Sequence, residues 1–380
     1  MLALSYWEKQ TYFDSVDVLI VGGGIVGLST ALNIKLSAPQ LKVLVVERGF
    51  LPHGASTKNA GFACFGSVSE LLDDLKSMSE TDVLNLVEKR FRGLALLRKT
   101  LGDSSIDFEG KGGFELFTTD QQQLFQECVE AIPALNSKLA AIISKQSIFR
   151  VQDDQIKSFG FSGVDHIICN NFEGQINTGK MMEALLTKVR NLGVFVINGL
   201  EIKEILEGDL AADVYTTEGF SFRAQSVCIC TNGFARKLLP DLLVLPARSQ
   251  VLVTERISNL KISGTFHYDR GYTYFRDLDQ RILLGGARNL AIDQEATDSF
   301  GLSEKIQDHL ESLLRTVILP KANIQIEQRW SGIMGLGDKK TTIVRKHSEH
   351  VYCAVRMGGM GVAIGSLIGQ ETAQMLIADL

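Results

Sequence analysis

The chain of 380 residues has only 6 prolines, too few to suggest a stiff linker holding separate bodies apart. Its 6 cysteines include no Cys-x-x-Cys pair, so the usual zinc and redox-disulfide spacings are missing and no metal site is expected. Cys228 and Cys230 sit two apart in an apolar run and are read as small residues of a buried strand, facing one side. No block of Lys and Arg appears, and 39 cations against 44 anions give a net charge of -5, which argues against a nucleic-acid groove. The longest apolar run near the start, Val18 to Leu28, is broken by four glycines and is shorter than the ~20 residues a membrane helix needs. Met1 to Tyr12 shows no basic stretch followed by an apolar one, so neither a signal peptide nor a membrane span is expected, and the protein is placed in the cytosol.

Glycine is plentiful. The 35 glycines have no collagen-like period, and 45% of residues are apolar, enough to bury a sizeable core. Many glycines beside few prolines point to places where backbone closely approaches something else.

The clearest such place lies near the start. Asp17 to Val21 reads as a buried strand, Leu28 to Leu36 as a helix, and Gln40 to Glu47 as a second strand, which together make a βαβ unit. Gly22, Gly24 and Gly27 fall at the turn in Gly-x-Gly-x-x-Gly spacing, flanked by Ile25 and Val26. In that context the first glycine allows a tight turn, the second admits a pyrophosphate against the backbone, and the third lets helix and strand pack. Glu47 ends the second strand, where an acid can bind ribose hydroxyls and disfavours a 2′-phosphate. A dinucleotide site follows from this context, with FAD and NAD both open.

Farther along, Ser67 and Glu70 make a capping box for a helix to about Ser77, and a second helix is expected over Thr81 to Leu101. Gly113 to Thr118 alternates like a half-buried strand. Asp120 to Ser144 reads as helical but interrupted near Pro133. Asn177 caps a helix that ends at Gly193. Strands are expected over 194–197, 212–216, 220–223, 245–255, 264–268, 272–276 and 281–284. An amphipathic helix over 302–317, strands over 324–330, 342–345 and 351–355, and a helix after a glycine-rich turn at 358–365 complete the chain.

After Glu47 comes Arg48, then Gly54-Ala55-Ser56-Thr57-Lys58-Asn59-Ala60-Gly61. Here the chain resembles the FAD-dependent D-amino-acid oxidase family, which includes glycine oxidase, sarcosine oxidase and γ-glutamylputrescine oxidoreductases. The resemblance extends through Gly174 to Asn177, Cys230-Thr231-Asn232-Gly233-Phe234, Pro246 to Gln250, Trp330-Ser331-Gly332, and Gly358-Gly359-Met360-Gly361 with Val362 behind it. It implies an α/β fold (α+β overall), in which a Rossmann-like FAD-binding domain is interleaved with a β-sheet-based substrate domain. The expected division is 1–85, 147–240 and 332–380 for the cofactor, and 86–146 and 241–331 for the substrate. It also implies that the 54–61 loop runs along the pyrophosphate toward the flavin, that Ile202 lies against adenine, and that the 358–362 turn faces the flavin's far edge. Some relatives attach FAD through a His or Cys; the matching position is Lys58, which implies noncovalent FAD.

The activity implied is oxidation of a C–N bond in a small amine or amino acid, with electrons passed to dioxygen or another acceptor. Tyr272, Tyr274 and Arg276 alternate along one strand and therefore share a face. They are the candidate catalytic residues if that face meets the flavin; Phe275 could instead be the inward residue. The Arg that follows Trp-x-Gly in glycine oxidase-like sequences is replaced by Met334, leaving Arg276, Arg288 or Arg329 to supply a cation. Leu283 or Leu284 stands where sarcosine oxidase-like members carry Lys, so a dehydrogenase stays open beside an oxidase. An NAD-linked dehydrogenase and a protein with purely structural FAD remain the alternatives.

Overall fold

The computed structural model describes residues 3–320 and 322–380. Its first sheet is built on the run Val16–Val21, whose residues are nearly all buried because helices cover one face and strands with the 235–244 segment cover the other. This strand pairs in parallel with Val43–Glu47 on one side and Ser221–Ile229 on the other. Phe195–Asn198 and Val351–Val355 extend the parallel core outward, and Ile343–Lys346 closes one edge antiparallel. Strands Ile202–Leu206 and Ala212–Thr216 form an antiparallel flap on Ser221–Ile229.

Helix Ile25–Ser37 follows the first strand and packs against the closing helix Gly361–Ala378. Their approach is close. A Cβ at Gly369 would come within 2.4 Å of the Ser29 Cβ and 2.8 Å of the Thr30 amide nitrogen. Helix Glu80–Leu101 packs on the closing helix from another side, and its Leu86, Leu94, Leu97 and Leu101 join the same core as Val18 and Ile20. Residues 86–101 therefore belong with the cofactor sheet rather than, as expected, with the substrate sheet.

The second sheet runs Ile326–Leu336, Leu245–Thr254, Arg281–Gly286, Thr273–Leu278, Thr265–Tyr268, Gly113–Thr118, Val164–Asn170 and Phe149–Val151. All of its pairings are antiparallel except Thr265–Tyr268 with Gly113–Thr118. The expected boundary at 147 is thus displaced. Phe149–Val151 and Val164–Asn170 pair in this sheet, and the chain returns toward the first sheet only after Asn170. The expected break at 331/332 also falls inside one continuous strand, Ile326–Leu336. A short ribbon, Phe62–Ala63 with Gly174–Gln175, stitches the two sheets together.

Helix Gln122–Ile143 runs unbroken through Pro133, contrary to the expected interruption. Its buried stripe of Phe125, Cys128, Leu135, Leu139 and Ile143 spans the proline, and this tertiary packing outweighs the one lost backbone bond. No helix among the described residues is long and apolar enough to cross a membrane.

Gly369→Ala should force the opening and closing helices apart. A cost of about 1–3 kcal/mol is expected, as for other overpacked contacts, and would appear as a lowered thermal midpoint. An unchanged midpoint would contradict so tight a helix contact.

Candidate functional site

One elongated cavity of about 450 Å³ runs between the sheets. Its first end is made by the glycine turn. Gly22, Gly24, Ile25 and Val26 line it, and the backbone amides at the start of helix Ile25–Ser37 open toward it. Gly27 lies beneath. A Cβ there would come within 2.0 Å of the Gly22 carbonyl oxygen, so only glycine lets the helix leave the turn at this angle. The Ile25 amide donates to the Ser56 hydroxyl at 2.9 Å, which ties the 54–61 loop to the helix start.

Glu47 is buried at the end of its strand. One carboxylate oxygen accepts the Gly23 amide at 3.0 Å and the other accepts the Gly49 amide at 3.0 Å. Its position is set, with lone pairs left for a ligand. Arg48, Leu200, Glu201 and Ile202 continue the wall, and the Arg48 guanidinium sits 4.0 Å from the centre of the Phe234 ring. Thr231 also lines this stretch, and its buried hydroxyl oxygen has no partner within the protein. A buried hydroxyl left unpaired is costly unless a ligand completes it.

The middle is lined by Ala55, Ser56, Asn59, Ala60 and Gly332, with Asn232 beside them. Thr57 faces away, its hydroxyl donating to the Pro52 carbonyl at 2.7 Å. Gly61 and Gly233 also lie behind the wall, pressed against the carbonyls of Ile176 and Met334. Asn232 turns inward to the protein, accepting the amides of Arg356 and Met357. It thereby positions the closing turn.

At the far end Gly358, Gly359, Met360, Gly361 and Val362 line the cavity. Gly358 and Gly359 have φ of +59° and +82°, a conformation that bends the chain so the closing helix begins at the cavity wall. No side chain caps this helix, and its first amides are free for a ligand.

The second sheet supplies the opposite wall. Tyr272 and Tyr274 both line the cavity, as their shared face implied, while Phe275 points the other way and stacks on Phe266 at 4.6 Å. The Tyr274 hydroxyl lies 2.9 Å from that of Ser249, and burial raises its pKa. Arg276 corrects the expectation. It is on the same face but does not line the cavity. Its guanidinium donates to the carbonyls of Ala60, at 2.5 Å, and Ile176, at 3.1 Å. It braces the end of the 54–61 loop against the Ile176 carbonyl. Arg329 is also removed from the cavity, because it pairs with Glu311 and Gln307. Met334 and Arg288 do line it. Leu283 is buried among Ala60, Val251 and Val253, so no ammonium group stands at that point. His53 lies outside the wall, edge-on to Phe300 at 4.7 Å.

Beyond the tyrosines is a polar floor that no spacing in the linear sequence reveals. Glu70, Arg90, His267 and Cys64 line it. The imidazole of His267 lies between Glu70, at 3.7 Å, and Glu173, at 3.8 Å. Burial disfavours ionisation of Glu70, but His267, the Ser67 amide, Lys340 and Arg90 outweigh it and hold the carboxyl below its ordinary range. For Glu173 burial dominates and raises the pKa. Potential ligating atoms of Cys64, Glu173 and His267 lie within 4.8 Å of one another, a juxtaposition of three distant segments that no cysteine spacing could announce. His267 alternates with Thr265 on its strand, and that period is its one readable signal.

Residues 17–375 match the family described as FAD dependent oxidoreductase. A probable oxidoreductase of Haemophilus influenzae, OrdL, is 21% identical and aligns with 100% of the chain and 91% of its own length. The γ-glutamylputrescine oxidoreductase of Escherichia coli is 24% identical, over 99% of the chain and 88% of its own length. Among solved structures, glycine oxidase from Bacillus cereus superposes with a TM-score of 0.76 at 17% identity, covering 96% of each chain. Iminodiacetate oxidase from Chelativorans gives 0.76 at 15% identity, covering 95% of each. At such identities these structures establish the fold.

Two substitutions test the cofactor end. In Gly24→Val the Cβ would approach the Ser56 hydroxyl to 2.9 Å, and the branched side chain would fill the space beside it. Purified protein should lose its flavin absorbance, and full retention would count against a pyrophosphate at this turn. Thr231→Val removes the unpartnered hydroxyl. It should leave the apoprotein at least as stable while weakening FAD binding by about 1 kcal/mol, read by flavin titration.

Proposed function

Because the chain belongs to the family of FAD-dependent oxidoreductases, we propose that it oxidises a C–N bond of a small amine or amino acid, with FAD held noncovalently. The observation that carries this reading is the convergence of two helix starts, at Ile25 and Gly361, on one cavity that ends between Tyr272, Tyr274 and a buried polar floor. The relatives support the substrate class: γ-glutamylputrescine oxidoreductase, glycine oxidase and iminodiacetate oxidase are all named for compounds with a C–N bond.

The residues present fit the cofactor. The Gly22–Gly27 turn and Ser56 would take the pyrophosphate, and Glu47 a ribose. Arg48 and Ile202 would flank the adenine, while Asn59, Ala60 and Gly332 would meet the flavin. Thr231 offers an unpaired hydroxyl beside the same path. The 358–362 turn would set free amides and a positive helix end at the flavin's far edge, where negative charge grows on reduction. When bound, FAD supplies the two-electron acceptor.

This chain's own contribution is positioning. Tyr272 and Tyr274 limit where a substrate can sit, and Ser249 fixes the Tyr274 hydroxyl. Because burial raises the pKa of Tyr274, its hydroxyl remains protonated through neutral and mildly basic pH and can donate to a substrate throughout. The electron acceptor is dioxygen or another oxidant from outside the chain. The six cysteines are all free and buried, which suits the reducing cytosol as its location.

Anaerobic titration with a panel of amines and amino acids should bleach the bound flavin with at least one of them. Failure across a broad panel would overturn the proposal, and repeating the titration with oxygen separates oxidase from dehydrogenase. Tyr274→Phe should keep its FAD and lower turnover by about tenfold, equivalent to one hydrogen bond of roughly 1.4 kcal/mol. The shape of its pH profile below pH 9 should match that of the unmodified enzyme. A new limb in that range would show that the hydroxyl titrates there.

A further inference from the structure

Side chains of metal-ligating type meet at the joint between the sheets. Cys64 directly follows the ribbon strand Phe62–Ala63, and Glu173 directly precedes its partner Gly174–Gln175, so the two flank one end of the ribbon. His267 reaches the same point from strand Thr265–Tyr268 of the second sheet. A ligating atom of each lies within 4.8 Å of the other two. Cys64, Glu173 and His267 are 0%, 2% and 5% exposed.

The groups around them fix their orientation. Glu173 Oε1 accepts the Phe65 and Gly66 amides at 2.8 and 3.1 Å, which leaves Oε2 turned toward His267. His267 Nε2 is buried and has no hydrogen-bond partner among the described residues, although Glu173 Oε2 is 3.8 Å away. That separation is too long for a hydrogen bond, and a buried nitrogen left unpaired is costly. It is close to the spacing of two ligands on one tetrahedral zinc ion, about 3.3–3.6 Å for bonds of about 2.0–2.3 Å. The Phe62 ring stands edge-on to the imidazole at 5.4 Å and limits its rotation. On the other side of the ring, Nδ1 faces Glu70 at 3.7 Å, where an outer carboxylate would orient a ligating histidine. The Cys64 sulfur touches the Thr265 hydroxyl at 3.5 Å.

We infer that Cys64 Sγ, Glu173 Oε2 and His267 Nε2 form a zinc site. A thiolate, an imidazole and a carboxylate suit zinc, whereas magnesium and calcium take oxygen ligands. On binding, the thiol proton leaves to solvent, and the thiolate and carboxylate together balance the dication. Three protein ligands leave a fourth position open. Cys64 and His267 line the cavity and Glu173 lies behind them, so the open position faces the chamber, where water or a polar group of a bound molecule completes it. The ion also pins the ribbon to the second sheet. This site does not depend on which compound the flavin oxidises.

The test is zinc binding by the FAD-loaded enzyme after treatment with a chelator. One zinc per chain should bind and raise the thermal midpoint. X-ray absorption at the zinc edge should show one sulfur, with nitrogen or oxygen in the other positions. Cobalt in place of zinc should give the red absorption of a tetrahedral site, beyond the bands of the flavin. Cys64→Ser and His267→Gln should each weaken zinc by about tenfold or more, and Glu70→Gln, outside the ligand set, by about tenfold. If neither ligand variant folds, the sulfur count in the unmodified enzyme decides. Two sulfurs would put the metal at Cys228 and Cys230, whose sulfur atoms lie 3.7 Å apart, and overturn the inference. So would a chelator-treated enzyme that takes up no zinc, or an affinity unchanged in a ligand variant that retains FAD. Flavin bleaching is read separately. Zinc uptake without bleaching by any amine or amino acid leaves the site standing and defeats only the C–N reading.

Discussion

The opening and closing helices touch through glycine and serine, and the shape of the cavity depends on that contact. Gly369 lies against Ser29, and Gly365 lies against Ile25. Larger residues would hold the axes apart. At this close spacing both helices begin at one cavity, although Ile25 and Gly361 are separated by most of the chain. Each presents unpaired amides and the positive end of its dipole. A long cofactor with negative charge at its pyrophosphate and, on reduction, at its flavin is the ligand such a pair of ends would hold.

The second sheet then closes the chamber. Its strands carry alternate residues to opposite faces, so Phe266 and Phe275 stack in its own core while Tyr274, His267 and Ser249 turn to the cavity. The joint between sheets is reinforced by polar groups rather than bulk. Arg276 reaches across to the Ala60 and Ile176 carbonyls, and Glu173 accepts the amides of Phe65 and Gly66. Buried charges used in this way specify the loop position as much as they stabilise it, because each leaves an unpaired group if the loop shifts.

This division of labour gives the chamber-facing and engaged cations different meanings. Arg276 alternates with two tyrosines, the pattern of a catalytic face, yet its partners are main-chain oxygens. Arg288 has no such pattern, yet it lines the chamber beside the Tyr272 ring. The difference lies entirely in what surrounds each guanidinium.

The βαβ unit, the glycine turn and Glu47 are legible in sequence because each rests on local rules: strand–turn–helix order, a spacing of glycines, and an acid at a strand end. The same holds for the Ser67 and Asn177 caps, both of which form. The helix through Pro133 departs from its local signal because its packed stripe, not its propensity, decides continuity. The strands at 149–151 and 164–170 are readable as extended segments at most. Which sheet they join depends on hydrogen bonds to Gly113–Thr118, a partner far off in sequence. The floor of Cys64, Glu70, Arg90 and His267, with Glu173 behind it, draws on four stretches of chain far apart in sequence and has no spacing to reveal it. By itself, then, the sequence determined the glycine turn after the first strand and the class of fold, since short-range sterics and periodicity suffice for both. Only the tertiary structure decided which charged side chains face the chamber, because burial and pairing depend on what the folded chain brings alongside them.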